Sequence, residues 1–281
     1  MPGPDDPFER FFAALEARHL GRAAFPDVRR ALQALSSLYV ERRGRLAARA
    51  GGGPGDGPAL DGAGKRAAFA LFYGALHFLA VREIVRALDA ARPAPARVLD
   101  LGCGTGVAGA ALALEAGAPR PPPVLGVDRS AWALGEARFT YRALGVPGRT
   151  LRRDAALVRL PGRRTAIVAA FALNELAAEP RARLLRRLLE AGRRGARILV
   201  VEPIARRPAP WWDGAAAAFR GAGGRADEWR FPADLPERLR LLDKAAGLDH
   251  RELTARSLWL PAATEASGAR APREEEEEEE E

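Results

Sequence analysis

The sequence predicts an α/β architecture: a mostly parallel sheet with helices on both faces, preceded by a helical N-terminal region. Three observations predict it. After Pro95, short apolar runs alternate with stretches of helical periodicity, the pattern of β-strands linked by crossover helices. The first apolar run empties into a glycine-rich turn that opens directly onto a helical stretch. The composition is 48% hydrophobic but only 7% aromatic, with alanine and leucine supplying much of the apolar material, which favours helices over an all-β design.

The elements follow in order. Phe8, Phe11, Phe12 and Leu15 recur at helical spacing. Pro26-Asp27 can start a second helix, with Val28, Leu32, Leu35, Leu38 and Tyr39 as its apolar face. Gly51-Gly-Gly-Pro-Gly-Asp-Gly-Pro58 supports no regular structure, and a flexible loop is expected over 50–64. A long apolar helix is predicted over Lys65–Ala91, closed by Pro93 and Pro95. Strands are predicted at Arg97–Leu101, Val124–Asp128, Thr150–Asp154, Ala166–Ala172, Arg197–Glu202 and Arg251–Leu260. Helices are predicted at Val107–Ala116, Ser130–Leu144, Glu179–Ala191 and Asp234–Ala246. That makes six strands. The domain expectation is a helical region over 1–94, an α/β domain over 95–262 and a disordered acidic tail over 263–281.

Charge is unevenly distributed. The formal net charge is +8, yet residues 274–281 are eight consecutive glutamates, so the rest of the chain carries +16. A basic body suits an anionic partner, with nucleic acid the first candidate. Arginine supplies nearly all the cations, Lys65 and Lys244 being the only lysines, and a GC-rich genome would produce the same bias. The single cysteine, Cys103, excludes an internal disulfide and any cysteine-based metal cluster, so no metal is expected. The N-terminus has no basic and apolar regions of a secretory signal, and a cytoplasmic location is expected. The apolar stretch Ala67–Val81 is too short to span a bilayer comfortably, and no membrane partner is expected.

The sharpest local signal is Val98-Leu-Asp-Leu-Gly-Cys-Gly-Thr-Gly106. Alternate glycines allow unusual backbone angles and let a ligand approach the main chain closely. At the end of a parallel strand, such a turn lies where open α/β sheets bind ligands. Gly104-Thr-Gly-Val-Ala-Gly109 also fits a dinucleotide-binding pattern, with Asp128 following, so a nicotinamide-dependent oxidoreductase is a rival reading. Asp100 argues against it: a carboxylate beside a diphosphate is repelled, whereas one beside an amino group is attracted.

Val98–Gly106 resembles the first motif of class I methyltransferases, whose D-x-G-x-G-x-G loop holds S-adenosylmethionine. The resemblance covers roughly residues 95–205 and implies a Rossmann-like sheet of the seven-stranded type. It implies that Asp100, Gly102, Cys103, Gly104, Thr105 and Gly106 form the cofactor loop, with Asp100 facing the methionine amino group. It implies that Asp128 takes both ribose hydroxyls, that Arg129 or Trp132 flanks the adenine, and that Asp154 and Ala155 meet the adenine edge. Phe171, at the end of the fourth strand, joins the cofactor set. Cys103 reads as a small loop residue rather than a nucleophile. Asn174 and Glu175, which follow the fourth strand, are the candidates for the acceptor side; capping of the next helix is their plain structural alternative. The Asn-Pro-Pro-Tyr type of segment used on exocyclic amines is missing here.

Leu173-Asn-Glu-Leu176, Val201-Glu-Pro203, Asp227-Glu-Trp-Arg-Phe231 and Leu235-Pro236 are similar to segments of a narrower family, the methyltransferase-like proteins associated with the small ribosomal subunit. That resemblance implies ribosomal RNA or a ribosome-associated component as acceptor, or a non-catalytic assembly factor on the same fold. Those relatives commonly hold a metal or iron–sulfur cluster through cysteines near their last segments; here that stretch has Trp211, Trp212 and Arg230, and no cysteine.

Overall fold

The computed structural model describes residues 6–20, 26, 29–33, 62–117, 120–204 and 210–262. Most of the expected second helix, most of the glycine-rich loop and the acidic tail lie outside the described residues.

A seven-stranded sheet forms the centre: β1 (Arg97–Leu101), β2 (Val124–Asp128), β3 (Gly148–Arg152), β4 (Thr165–Ala170), β5 (Arg197–Glu202), β6 (Arg225–Pro232) and β7 (Glu252–Leu260). The order is β3-β2-β1-β4-β5-β7-β6. Only β7 runs against the rest, pairing antiparallel with both β5 and β6. The chain winds outward from β1 through β2 to β3, then crosses to β4 on the other side. This places a topological switch point between β1 and β4, where a crevice opens beyond the strand ends.

Successive side chains of the central strands face opposite layers. Val98, Val124, Val168 and Val201 pack on one side, under α1 (Pro7–His19), α2 (Ala63–Ala87), α3 (Val107–Glu115), α4 (Ala131–Ala143) and α7 (Glu237–Ala245). Leu99, Leu101, Ile167, Ile198 and Val200 pack on the other, under α5 (Ala178–Arg193) and α6 (Trp212–Gly221). Strands covered on both faces read as continuous apolar runs, which is why they were visible in the sequence.

Several elements depart from expectation. β6 is the seventh strand, Arg-Ala-Asp-Glu-Trp-Arg-Phe-Pro, and α6 precedes it. The long helix begins at Ala63 rather than Lys65 and ends near Ala87 rather than Ala91. At 25 residues it is long and apolar enough to cross a membrane, but 72% of its most apolar window is buried inside the protein, so its apolar surface serves the core.

The N-terminal helices are anchored to the sheet domain. Phe8, Phe11 and Phe12 are buried, and Phe8 stacks on Phe78 of α2 at 5.2 Å between ring centroids. Full burial of each such ring contributes about 1.5–3 kcal/mol. Asp6 caps α1 by accepting from the Phe8 amide, and Arg82 of α2 reaches the same carboxylate. At the other end, Arg18 and His19 converge on buried Glu136 of α4, at 2.8 and 3.1 Å. Burial pushes the Glu136 carboxyl up, but His19 and Arg18 overcome that and hold it at about 2.

Candidate active site

A cavity of about 220 Å³ opens at the switch point. The C-terminal ends of β1, β2, β4 and β5 supply its floor, and α2 reaches over it with Phe69 and His77. The glycine loop is one wall. Gly102, Gly104 and Gly106 all have positive φ, at 64°, 51° and 79°. A Cβ on Gly102 would meet that of Ala172 at 2.7 Å, so the loop and the end of β4 approach too closely for any other residue there. Helix α2 has a widened turn at Phe69–Gly74, which presses Gly74 against Thr105; a Cβ on Gly74 would lie 3.3 Å from the Thr105 hydroxyl.

Asp128 ends β2 and ties the loop down. One carboxylate oxygen accepts from the Gly104 amide at 3.0 Å, the other from the Ser130 amide at 2.8 Å. Each oxygen keeps a further lone pair, so both can still accept from a ligand hydroxyl. Arg129, Trp132, Arg153, Asp154 and Ala155 continue the wall. Asp154 caps the turn at Ala155–Leu157 by accepting from the Ala156 amide at 2.8 Å. Trp132 meets Phe69 edge to face at 6.2 Å, and the Arg66 guanidinium lies over the Trp132 ring.

Asp100 sits apart from the residues that line the cavity. It lies behind the loop, 1% exposed. Its Oδ2 accepts at 2.8 Å from the Gly109 amide, one of the first amides of α3, which have no partner within the helix. Burial raises its pKa to about 7, the Gly109 amide working against the rise and Asp128 with it. Its Oδ1 is buried without a partner. Gly106 also lies off the cavity, packed against Ala137 and Tyr141 of α4.

Cys103 does line the cavity but is 5% exposed. Burial pushes its thiol well above the usual range, so the thiol stays protonated and is a poor nucleophile.

The turn after β4 holds the remaining site residues. Phe171 has φ 55°, an uncommon left-handed conformation for an aromatic residue. Its ring stacks on His77 at 3.8 Å, with 12° between the planes. Burial lowers the His77 pKa to about 4, so this is a neutral aromatic pair at neutral pH. Asn174 and Glu175 both border the cavity. Asn174 Nδ2 donates to Glu202 Oε2 at 2.7 Å, and its Oδ1 accepts from Trp211 Nε1 at 3.0 Å. Each end of the Asn174 amide is therefore held, with one N–H and one lone pair left.

Glu202, Phe69 and Trp211 were absent from the sequence-derived site. Glu202 ends β5 and is fully buried. Its Oε1 accepts from the Leu173 and Asn174 amides, at 2.7 and 3.3 Å. Burial raises its pKa to about 8, despite those amides and nearby Arg256, and Glu175 adds to the rise. The signal was present: Glu202 closes an apolar strand with a carboxylate, as Asp128 does on β2. Among the described residues, no group of three or more His, Cys, Asp or Glu side chains is placed to hold a metal ion.

Comparisons with known proteins agree with this architecture. Residues 98–195 match a family described as a methyltransferase domain. An O-methyltransferase family protein from Burkholderia thailandensis has a similar structure, with TM-score 0.53, 15% identity, and coverage of 83% of this chain and 71% of that one. Magnesium protoporphyrin IX methyltransferase from Synechocystis, solved with bound S-adenosylmethionine, has TM-score 0.45, 17% identity, and coverage of 85% and 99%. A putative RNA methyltransferase from Pyrococcus horikoshii has TM-score 0.45, 12% identity, and coverage of 79% and 99%. No curated protein matches the chain. The family match spans β1 to β4, the part of the chain that holds the glycine loop and the switch point.

Proposed function

We propose that the chain binds S-adenosylmethionine in the switch-point cavity and transfers its methyl group to RNA of the small ribosomal subunit or to a component associated with it. The observation that carries the cofactor reading is the donor set. Asp128, Asp154 and Glu175 border one cavity with Arg129 and Arg153, beside a loop of positive-φ glycines, which suits a ligand carrying ribose hydroxyls, charges of both signs and a close-lying chain.

When bound, S-adenosylmethionine supplies an electrophilic methyl group on a sulfonium, so much of the protein's task is positioning. Asp128 would accept from the ribose hydroxyls through its free lone pairs. Gly102–Thr105 would lie along the methionine portion, and Arg129, Trp132, Asp154 and Ala155 would frame the adenine. Asn174 and Glu175 would face the acceptor, and Glu202 is a positioning residue that fixes the Asn174 amide. The His77–Phe171 pair and Phe69 exclude water above the cavity.

Support for an RNA acceptor comes from the body charge of +16 and from the Leu173–Leu176 and Val201–Pro203 segments. Small ribosomal subunits incubated with the protein and methyl-labelled S-adenosylmethionine test it. Label in the RNA is the expected result. Label only in small molecules would remove the RNA acceptor. Salt-sensitive RNA binding without any transfer would favour the assembly-factor reading.

A further inference from the structure

The opposite edge of the sheet carries a second concavity that methyl transfer leaves unused. It is an open groove of about 1350 Å³ where β1, β2 and β3 begin, walled by residues 158–162 and the end of α5. Arg97, Arg149, Arg159, Arg187 and Arg194 line it, against one carboxylate, Glu190. Arg187 is held by the carbonyls of Ala156 and Val158, and Arg194 donates to the Leu160 carbonyl at 3.0 Å. A carbonyl satisfies a donor without neutralising its charge. Arg97, Arg149 and Arg159 are exposed, and none has a carboxylate partner among the described residues.

The sheet register links this groove to the end of β7. Arg149 pairs with Leu125, Leu125 with Leu99, Leu99 with Ile167, Ile167 with Ile198, and Ile198 with Leu260. Five strand spacings put Leu260 about 24 Å from Arg149 along that row. Leu260 also packs on Gly192, two residues before Arg194. Residues 261–273 then lead to the eight glutamates at 274–281. Those thirteen linking residues can span up to about 43 Å when extended, so the run can reach every arginine of the groove.

We infer that glutamates 274–281 dock in this arginine-lined groove of their own chain. The other edge attracts them less, because Asp128, Asp154 and Glu175 border its cavity alongside Arg129 and Arg153. Tethering gives the tail a high effective concentration, so pairs that are weak singly act together.

A spin label on Glu281→Cys in the full chain tests this; the buried, protonated Cys103 leaves the tail thiol as the reactive one. At about 50 mM salt, the amide signals of Gly148, Arg149, Gly162 and Arg194 should lose most of their intensity. Those of Gly104, Asp128 and Asn174 should keep theirs. The effect should vanish near 0.5 M salt, and also in Arg149→Glu/Arg159→Glu, whose exposed positions leave the core intact. Equal broadening at both edges, no broadening, or broadening indifferent to the charge reversal would overturn the inference. So would an unbroadened groove whose signals shift only when a single-stranded RNA oligonucleotide is added.

Discussion

The two edges of the sheet differ in charge, cover and conformation. At the C-terminal edge, carboxylates gather around a small cavity, positive-φ glycines bring the main chain close, and α2 lays Phe69 and His77 across the top. At the N-terminal edge, arginines line a broad groove without such a roof. One edge encloses a small cavity lined by charges of both signs, and the other displays mostly arginines. The difference shows why net charge is a poor guide to this protein: a value of +8 averages a basic body of uneven charge and an acidic tail.

The largest effect is expected where the enclosed edge is most tightly built. Gly106→Ala puts a Cβ 2.9 Å from Ala137 and Tyr141 at a φ of 79°, costing about 2–4 kcal/mol from left-handed strain and overpacking. Thermal unfolding should register it. A melting temperature equal to the parent's would show that the loop tolerates a side chain there.

The helical cover comes next. Glu136→Ala removes the partner of Arg18 and His19 and should destabilise by about 2 kcal/mol. Because the folded Glu136 pKa is depressed from 4.5 to about 2, its contribution is present above pH 4.5 and lost as pH falls through 2. Acid denaturation curves of parent and variant should therefore converge in that window. Curves that stay parallel would remove the pair from the anchoring role.

Glu202 has the opposite sign. Its folded pKa is raised from 4.5 to about 8, so its protonated form adds stability below pH 4.5 that is lost as pH rises through 8. In Glu202→Gln this part of the pH dependence should disappear. Identical slopes in parent and variant would contradict a titrating, buried Glu202. Arg149→Ala, at the open edge, should change stability by no more than about 0.5 kcal/mol and leave cofactor affinity unchanged. A larger loss would mean that this exposed arginine braces the fold.

These contrasts also explain what was legible in the sequence. The parallel core strands were visible because burial on both faces makes them apolar runs, and the glycine loop because its residues are contiguous. β6 was not: it pairs only with β7 at the sheet's edge, and its Arg225, Asp227, Glu228 and Arg230 break any apolar pattern. Asp128 could be placed because it follows the loop by one crossover. Glu202 and Trp211 come from distant elements and meet Asn174 only through the crossover topology. Asp100 was placed beside the ligand from its position in the motif; that its Oδ2 accepts from the Gly109 amide behind the loop has no signal in the sequence. The groove arginines are scattered over β1, β3, a loop and α5, so only the sheet register shows that they share an edge with the chain's exit from β7.

The central claim is that the carboxylate edge binds S-adenosylmethionine, and titration calorimetry of the full chain with that cofactor and with NAD tests it most directly. The account predicts binding of S-adenosylmethionine in preference to NAD, weakened by about 1–3 kcal/mol in a folded Asp128→Ala variant. Preference for NAD, or an affinity for S-adenosylmethionine that Asp128→Ala leaves unchanged, would contradict it.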